Sequence, residues 1–399
     1  MLTRVLFDVE YDMNYKSDLQ KAVQGAVSEI DPDQKVSVEP TSDPKLGDYT
    51  TNAAMVLASK ENKNPTVFAN DLVQTLLKDD EVLQIASKIE VAGPGFINFW
   101  LKDDILADTL DEIFHKKGEY GNTNTLYGKR INFEFGQPNT HKQMHVGHLF
   151  SYVYGSATTK ILETAGAKLR RVNYQGDVGP HVARTLWAYQ KENPEIPEDL
   201  KEKAQLLQKL YEKGSKVYKD DLNAKNEIDD LNVQIYDDNP EIKDLWGETR
   251  AWSVEYYQNF EKRLGIKFDR YYFESEIFAG GKTLVKENLG NVFTEGEEGA
   301  IIFEGSKYGL HDRVFVTGHD TPTYEAKDMA LEKLKQEEWP ADLLIISTAS
   351  EQNEYFKVIF KALEALDNSF EGKLKHIGFG MFSLRGGKMS SRKGSIVGA

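Results

Sequence analysis

The chain contains no cysteine among its 399 residues, which excludes disulfides and thiolate-held metal centres. Nor does it contain an apolar run approaching the roughly 20 residues that a bilayer-spanning helix needs. Met1-Leu2-Thr3-Arg4 leads into Phe7-Asp8-Val9-Glu10 without an apolar block, so no secretory signal is expected. No stretch carries His, Asp and Glu at metal-ligand spacing. Positive charge is in deficit: 49 Lys and Arg stand against 64 Asp and Glu, a net charge of −15. That balance argues against a generally adhesive nucleic-acid binder, although a local basic face remains compatible with it. What is left is an ordinary globular profile, 40% hydrophobic and 28% charged, at a length that predicts two or three domains. A cytoplasmic monomer is expected.

One basic stretch does exist. Arg385, Lys388, Arg392 and Lys393 stand together with no acid among them, interleaved with Gly386, Gly387, Ser390, Ser391 and Gly394. A charge run is usually a solvated loop, but glycines and serines between the cations favour a phosphate-binding one. The second informative segment is Pro138-Asn139-Thr140-His141-Lys142-Gln143-Met144-His145-Val146-Gly147-His148. Two imidazoles flank a glycine just before a helix-like run, where backbone N–H groups favour phosphate.

Residues 1–105 read as a small α/β module. Val36 to Glu39 alternates like a strand; Thr51–Lys60 and Pro65–Lys78 read as helices; Lys88–Trp100 is strand-like and broken at Gly93-Pro94-Gly95. Residues 106–126 are expected to link this module to a second one spanning 127–399. There Ile131–Phe135 predicts a strand, the histidine segment a loop, Leu149–Thr164 a helix and Leu169–Tyr174 a returning strand. This is a right-handed parallel βαβ unit with its loop at the carboxyl end of the first strand. Leu149, Val153, Ala157, Ile161 and Ala165 recur every four residues, which predicts a buried stripe. Residues 194–265 are dense in Glu, Lys and Asp and predict a helical insertion without a sustained heptad. Beyond it, Asp342–Ser347 reads as a buried strand, Glu351–Leu366 as a helix and Leu374–Phe379 as a strand that the basic loop follows. The expected fold is α/β: a Rossmann-like doubly wound parallel sheet with a helical insertion and a small N-terminal α/β domain.

The histidine segment and Lys388-Met389-Ser390-Ser391-Arg392-Lys393 resemble the two signature motifs of class I aminoacyl-tRNA synthetases. Further stretches resemble the arginyl family of that class. These are Gly47 to Met55; Glu134 to Asn139 followed by Lys142; Phe268-Asp269 with Glu274-Ser275; Thr323-Tyr324 with Asp328; Glu351-Gln352 before Tyr355-Phe356; and His376 to Met381. The resemblance covers essentially the whole chain. It implies ATP-dependent activation of L-arginine to an adenylate and transfer to tRNA(Arg), with Mg²⁺ arriving on ATP. It also implies that the N-terminal module touches the tRNA elbow.

By the same resemblance, His145, His148, Lys142 and Lys388 would serve catalysis. His145, Gly147, His148, Met381, Lys388, Ser390 and Lys393 would hold ATP, with His145, His148, Lys388 and Lys393 offsetting phosphate charge. Glu134, Asn139, Glu274, Tyr324, Asp328 and Gln352 would hold arginine. The chemistry agrees, because a guanidinium is a planar fork of donors best met by carboxylates. Competing readings exist for each acid. Glu274 could be a surface acid, Asp328 an exposed helix carboxylate and Glu134 a loop anchor, while Asn139 could be a turn residue after proline.

Several positions depart from the family pattern: Ser391 replaces a lysine of the second motif, Gly136-Gln137 replaces serines, and Lys327 replaces an arginine. The chain stops at Ala399, whereas the family continues into a helical anticodon-binding domain, so a truncated and weakly active protein is expected. The alternatives are a class I synthetase of other specificity and a non-catalytic fragment that binds RNA or protein.

Overall fold

The structure is a computed structural model and describes residues 15–380. The chain divides into two compact units, Met1–Thr125 and Leu126–Ala399.

In the first unit, β1 (Glu39–Pro40), β2 (Tyr49–Thr51), β3 (Ala86–Ala92) and β4 (Phe96–Leu101) form an antiparallel sheet in the order β1-β2-β4-β3. The helices are α1 (Tyr15–Ser28), α2 (Ala53–Glu61), α3 (Pro65–Leu76), α4 (Asp80–Ile85) and α5 (Asp103–Lys116). Leu19, Val23, Leu57, Leu72 and Phe99 lie in one core. The Gly47-Asp48 pair has a structural task. Gly47 takes φ 95° where a Cβ would meet the Phe99 carbonyl. Asp48 donates its N–H to that carbonyl at 2.8 Å and accepts from the Leu101 N–H at 2.8 Å. Together they fasten the start of β2 to β4.

The second unit is built on five parallel strands: β5 (Arg130–Glu134), β6 (Lys168–Gln175), β7 (Arg270–Phe273), β11 (Leu343–Ala349) and β12 (Leu374–Phe379). Their order is β12-β11-β5-β6-β7, every pairing parallel. The chain therefore winds one way from β5 to β7 and the other way from β11 to β12. The reversal falls between β5 and β11, and its carboxyl side is where open α/β sheets hold ligands.

Helix α6 (Val146–Thr164) follows β5. Its buried face is Ser151, Tyr152, Gly155, Thr158, Thr159 and Leu162, while Val153 and Ile161 are exposed. The predicted every-fourth-residue stripe is therefore wrong. Four residues turn an α-helix by about 40° more than a full circle, so such a stripe winds off any one face. The real contact face mixes the small residues Ser151, Gly155, Thr158 and Thr159 with Tyr152 and Leu162; at Gly155 a Cβ would run into the Phe135 ring.

Helix α7 (Pro180–Glu192) packs with α8 (Leu200–Asp220), α9 (Leu222–Tyr236) and α10 (Pro240–Leu264). Val182, Leu186, Ile228, Ile235 and Ile242 share a core there. Helix α11 (Glu274–Glu287) continues directly from β7. Between it and α12 (Tyr324–Glu338) lies a small antiparallel sheet of β8 (Thr294–Glu295), β9 (Ile301–Phe303) and β10 (Arg313–Val316) that the sequence did not reveal. Helix α13 (Asn353–Leu366) joins β11 to β12. Among the described residues, no helix is long and apolar enough to cross a membrane.

Candidate functional site

The loop after β5 begins with two residues of positive φ, Gly136 at 95° and Gln137 at 43°. A side chain at Gly136 would press on Asn173 and Tyr152, which accounts for glycine at this point. The loop is held from α10. The Tyr257 hydroxyl lies 2.6 Å from the Asn139 carbonyl and 2.7 Å from that of Lys142, sharing one proton between two acceptors. The His141 N–H donates to Ser253 Oγ at 2.9 Å, and the His141 Nε2 lies 2.9 Å from Thr249 Oγ1. Helix α8 adds Gln208, which accepts from the Gln143 N–H at 3.2 Å, and Tyr211, whose ring lies under the Lys142 ammonium at 4.7 Å. Thus the helices after α7 grip the segment between β5 and α6. His141 is fully buried, and burial lowers its pKa to about 3, so it is a neutral structural residue.

His145 caps α6. Its Nδ1 accepts from the N–H groups of Gly147 at 3.1 Å and His148 at 3.4 Å. His148 Nδ1 accepts in return from the His145 N–H at 3.4 Å, completing a reciprocal capping box. The rings stack with centroids 3.8 Å apart. Burial, with Lys142 nearby, lowers the His145 pKa; burial, His145 and Lys142 bring that of His148 to about 3. Both imidazoles are therefore neutral at neutral pH. With each Nδ1 accepting, the ring proton belongs on Nε2, leaving each ring one neutral N–H donor.

The acidic part of the site gathers at the next strand ends. Glu274 opens α11 directly after β7 and is 4% exposed, so it is not a surface acid. Its helix start is fixed by Asp177, on the loop after β6, which accepts from the Ser275 N–H at 2.8 Å and from Ser275 Oγ at 2.7 Å. Asp177 is fully buried and also takes Arg250 Nε from α10 at 2.6 Å. Gly176 lets two groups converge: a Cβ there would collide with Asn139 Oδ1 and come 3.3 Å from Glu274 Oε2. The Asn139 side chain is exposed, while its backbone bridges to Gly176.

Asp328 on α12 is not an exposed helix carboxylate either. The Tyr355 hydroxyl donates to it at 2.7 Å. Burial raises its pKa to about 8, against the Tyr355 hydrogen bond and with Glu134 and Glu332 adding to the rise. Glu134 is buried with both oxygens engaged: one accepts from Gln137 Nε2 at 2.8 Å and the other meets the Lys335 ammonium, which Glu332 shares. That geometry is the loop-anchoring alternative for Glu134. Among these acids, Tyr174 on β6 has a buried hydroxyl with no hydrogen-bond partner among the described residues. Burial, and then the charges of Glu274, Asp328, Glu134 and Asp177, raise its pKa strongly.

Of the residues singled out in the sequence, Asn139 and Glu274 meet at Gly176, while Lys142 and His145 lie on the loop before α6 and Gly147 and His148 in its first turn. Tyr324 begins α12 with its ring exposed, and Gln352 is exposed in the turn before α13. Met381, Lys388, Ser390 and Lys393 lie outside the described residues. Sequence reasoning missed Gly176, Asp177, Tyr174, Tyr236, Tyr257, Glu332 and Lys335. The run Gly176-Asp177-Val178-Gly179-Pro180, an acid between glycines where a strand gives way to a helix, was a signal for the first two. No group of three or more His, Asp and Glu able to hold a metal occurs among the described residues.

Comparison with known proteins agrees with this geometry. A family profile described as the catalytic domain of class I (R) tRNA synthetases matches residues 109–398, and one for the arginyl-tRNA synthetase N-terminal domain matches residues 13–101. The arginine–tRNA ligase of Treponema denticola is 29% identical, over 96% of this chain and 67% of the relative. That of Treponema pallidum is 31% identical, over 94% of this chain and 64% of the relative. The solved arginyl-tRNA synthetase of Thermus thermophilus shares the fold with a TM-score of 0.68 at 21% identity, over 96% of this chain and 68% of that one. The Plasmodium falciparum structure gives 0.65 at 20% identity, over 92% and 65%. The chain thus spans about two thirds or less of the length of the curated relatives it matches.

Proposed function

This chain belongs to the arginyl family of class I tRNA synthetases, and from that membership we propose that it joins L-arginine to ATP and passes the arginyl group to tRNA(Arg). In the first step an oxygen of the arginine α-carboxylate attacks the α-phosphorus of ATP. The bond to the bridging oxygen breaks and pyrophosphate leaves. In the second, a hydroxyl of the 3′-terminal adenosine attacks the adenylate carbonyl and AMP leaves. Neither step needs a covalent enzyme intermediate, so positioning and charge stabilisation carry the rate.

His145 and His148 would donate their Nε2 protons to phosphate oxygens, and Gly147 would let the nucleotide approach the helix start. Lys142, Lys388, Ser390 and Lys393 would complete the phosphate contacts, with Met381 against the base. Mg²⁺ would enter on the triphosphate and offset charge on the departing pyrophosphate. Glu274, Asp328 and Tyr324 would take the guanidinium, Asn139 and Gln352 the amino-acid head, and Glu134 would anchor the loop beneath them.

One observation supports the arginine assignment most directly: the buried Tyr174 hydroxyl, without a hydrogen-bond partner among the described residues, lies within electrostatic reach of Glu274, Asp328, Glu134 and Asp177. Burying acids without enough cations is costly unless a cationic ligand joins them. Pyrophosphate exchange across a panel of amino acids, with and without tRNA, tests the proposal. Exchange with lysine or glutamate but not with arginine would overturn it.

A further inference from the structure

Glu274 does not wait for its ligand alone. The Lys327 ammonium, one turn into α12, lies 2.5 Å from Glu274 Oε1, with the two side chains 7% and 6% exposed. The Tyr236 hydroxyl of α9 donates to the same oxygen at 3.3 Å and receives from Lys327 at 3.2 Å. The ammonium also lies 5.2 Å from the ring centre of Tyr324 and 5.4 Å from that of Tyr236. Glu274 Oε2 is the oxygen that comes nearest Gly176, and it has no such partner among the described residues.

From this arrangement we infer that Lys327 is a positioning residue for substrate recognition: it holds Glu274 ionised and in place through Oε1, leaving Oε2 for the cationic end of the amino acid. The inference rests on the arginine reading of the pocket. A carboxylate offers about four lone-pair sites, so one oxygen can hold Lys327 and Tyr236 while the other accepts from a guanidinium. Among the described residues, the other groups acting on Glu274 are neutral or acidic: Tyr174 on β6, Tyr236 on α9, and Asp177 on the loop after β6. Asp177 raises the Glu274 pKa and has its own cation in Arg250. Burial is the largest influence raising that pKa, and Lys327 is the chief one opposing it. Without Lys327 the carboxyl would hold a proton more readily and lose its attraction for a guanidinium.

The test is equilibrium binding of L-arginine and of ATP to the full chain between about pH 6 and pH 9 by calorimetry. Wild type, Lys327→Met, Lys327→Arg, Glu274→Gln and the Glu274→Gln/Lys327→Met double variant are compared, with melting curves to confirm folding. Lys327→Met is expected to weaken arginine binding about tenfold or more near pH 7. The deficit should shrink towards pH 9 while ATP binding stays unchanged. Lys327→Arg should restore both affinity and pH profile. In the Glu274→Gln background the lysine substitution should add nothing, since its effect runs through the carboxylate. A deficit equal at all pH values, tighter binding in Lys327→Met, or a full additional loss in the double variant would overturn the inference. Wild-type chain that binds ATP but no arginine at any pH would overturn the arginine reading and the inference with it.

Discussion

Raising the pH from 6 to 9 should tighten arginine binding, and Asp328 sets by how much. Burial lifts this carboxyl to about 8 in the empty pocket. The ionised form that pairs with a guanidinium is then populated at roughly 1% at pH 6, 10% at pH 7 and 90% at pH 9. Apparent affinity scales with that fraction, so Kd should fall about ninety-fold across the range, tenfold per pH unit at first and levelling above about pH 8.5. Each arginine bound near pH 7 should release close to one proton, which calorimetry in buffers of different ionisation enthalpy counts directly. The matched variant is Asp328→Asn, which resembles the protonated wild type. It should bind arginine about as well as wild type at pH 6 and fall behind as the pH rises. The sign for stability is the reverse. Between the unfolded pKa of 3.8 and the folded value of about 8, the folded chain holds a proton that the unfolded chain has lost. Wild-type stability should therefore fall as pH rises through that window, and Asp328→Asn should melt higher than wild type at pH 8. A flat Kd for wild type, or an unaltered pH profile in Asp328→Asn, would refute the placement of Asp328 against the guanidinium.

Replacing Glu274 by Gln should weaken arginine binding by roughly 2–5 kcal/mol and leave ATP binding almost unchanged, because one partner of a buried charge pair is removed; equal losses for both ligands would mean the pocket is misplaced. Tyr257→Phe leaves the carbonyls of Asn139 and Lys142 without their donor. A cost of about 1–3 kcal/mol is expected, read as a lower melting temperature, and an unchanged melt would show that the loop does not depend on α10. Gly176→Ala should fold normally, since the backbone there is ordinary, yet lose arginine affinity at least about tenfold because the new Cβ displaces Asn139 Oδ1; unchanged affinity would separate Asn139 from the arginine site.

The parallel sheet was legible because β11 opens with the unbroken apolar run Leu343-Leu344-Ile345-Ile346, while β5 and β6 carry apolar residues at alternate positions (Ile131 and Phe133; Val172 and Tyr174). β5, β6 and β11 lie within two residues of the segments read from sequence, and β12 has the same bounds. Strand β7, Arg270-Tyr271-Tyr272-Phe273, was not identified, and neither was the sheet of β8, β9 and β10. Strands of two to four residues offer too few alternations for a period to stand out. The α6 stripe failed for another reason. Hydrophobic spacing was read as burial, whereas the buried face includes the polar Ser151, Thr158 and Thr159, and Gly155 admits the Phe135 ring by lacking a side chain.

Residue types in the candidate site could be read from motifs, but their ionic states could not. Those states depend on partners brought from far along the chain: Glu134 and Lys335 are 201 residues apart, and Glu274 and Lys327 are 53 apart. The histidine segment looks cationic beside a phosphate-binding helix start, yet capping and burial leave His145 and His148 uncharged, so they contribute direction rather than charge. The carboxylates look like free ligands for a cation, yet Lys327 and Lys335 already stand against Glu274 and Glu134, and Asp328 holds a proton. These facts belong together. The buried acids Glu134, Asp177, Glu274, Asp328 and Glu332 would be severely destabilised if every one were charged and only Lys327, Lys335 and Arg250 answered them. The empty protein meets that imbalance with internal lysines and a stored proton. On the proposed arginine reading, an arriving guanidinium would take the place of the proton, and recognition of positive charge would already be written into the ionisation of the empty site. A neutral ligand of the same shape would leave the proton where it is and gain nothing from the acids around it.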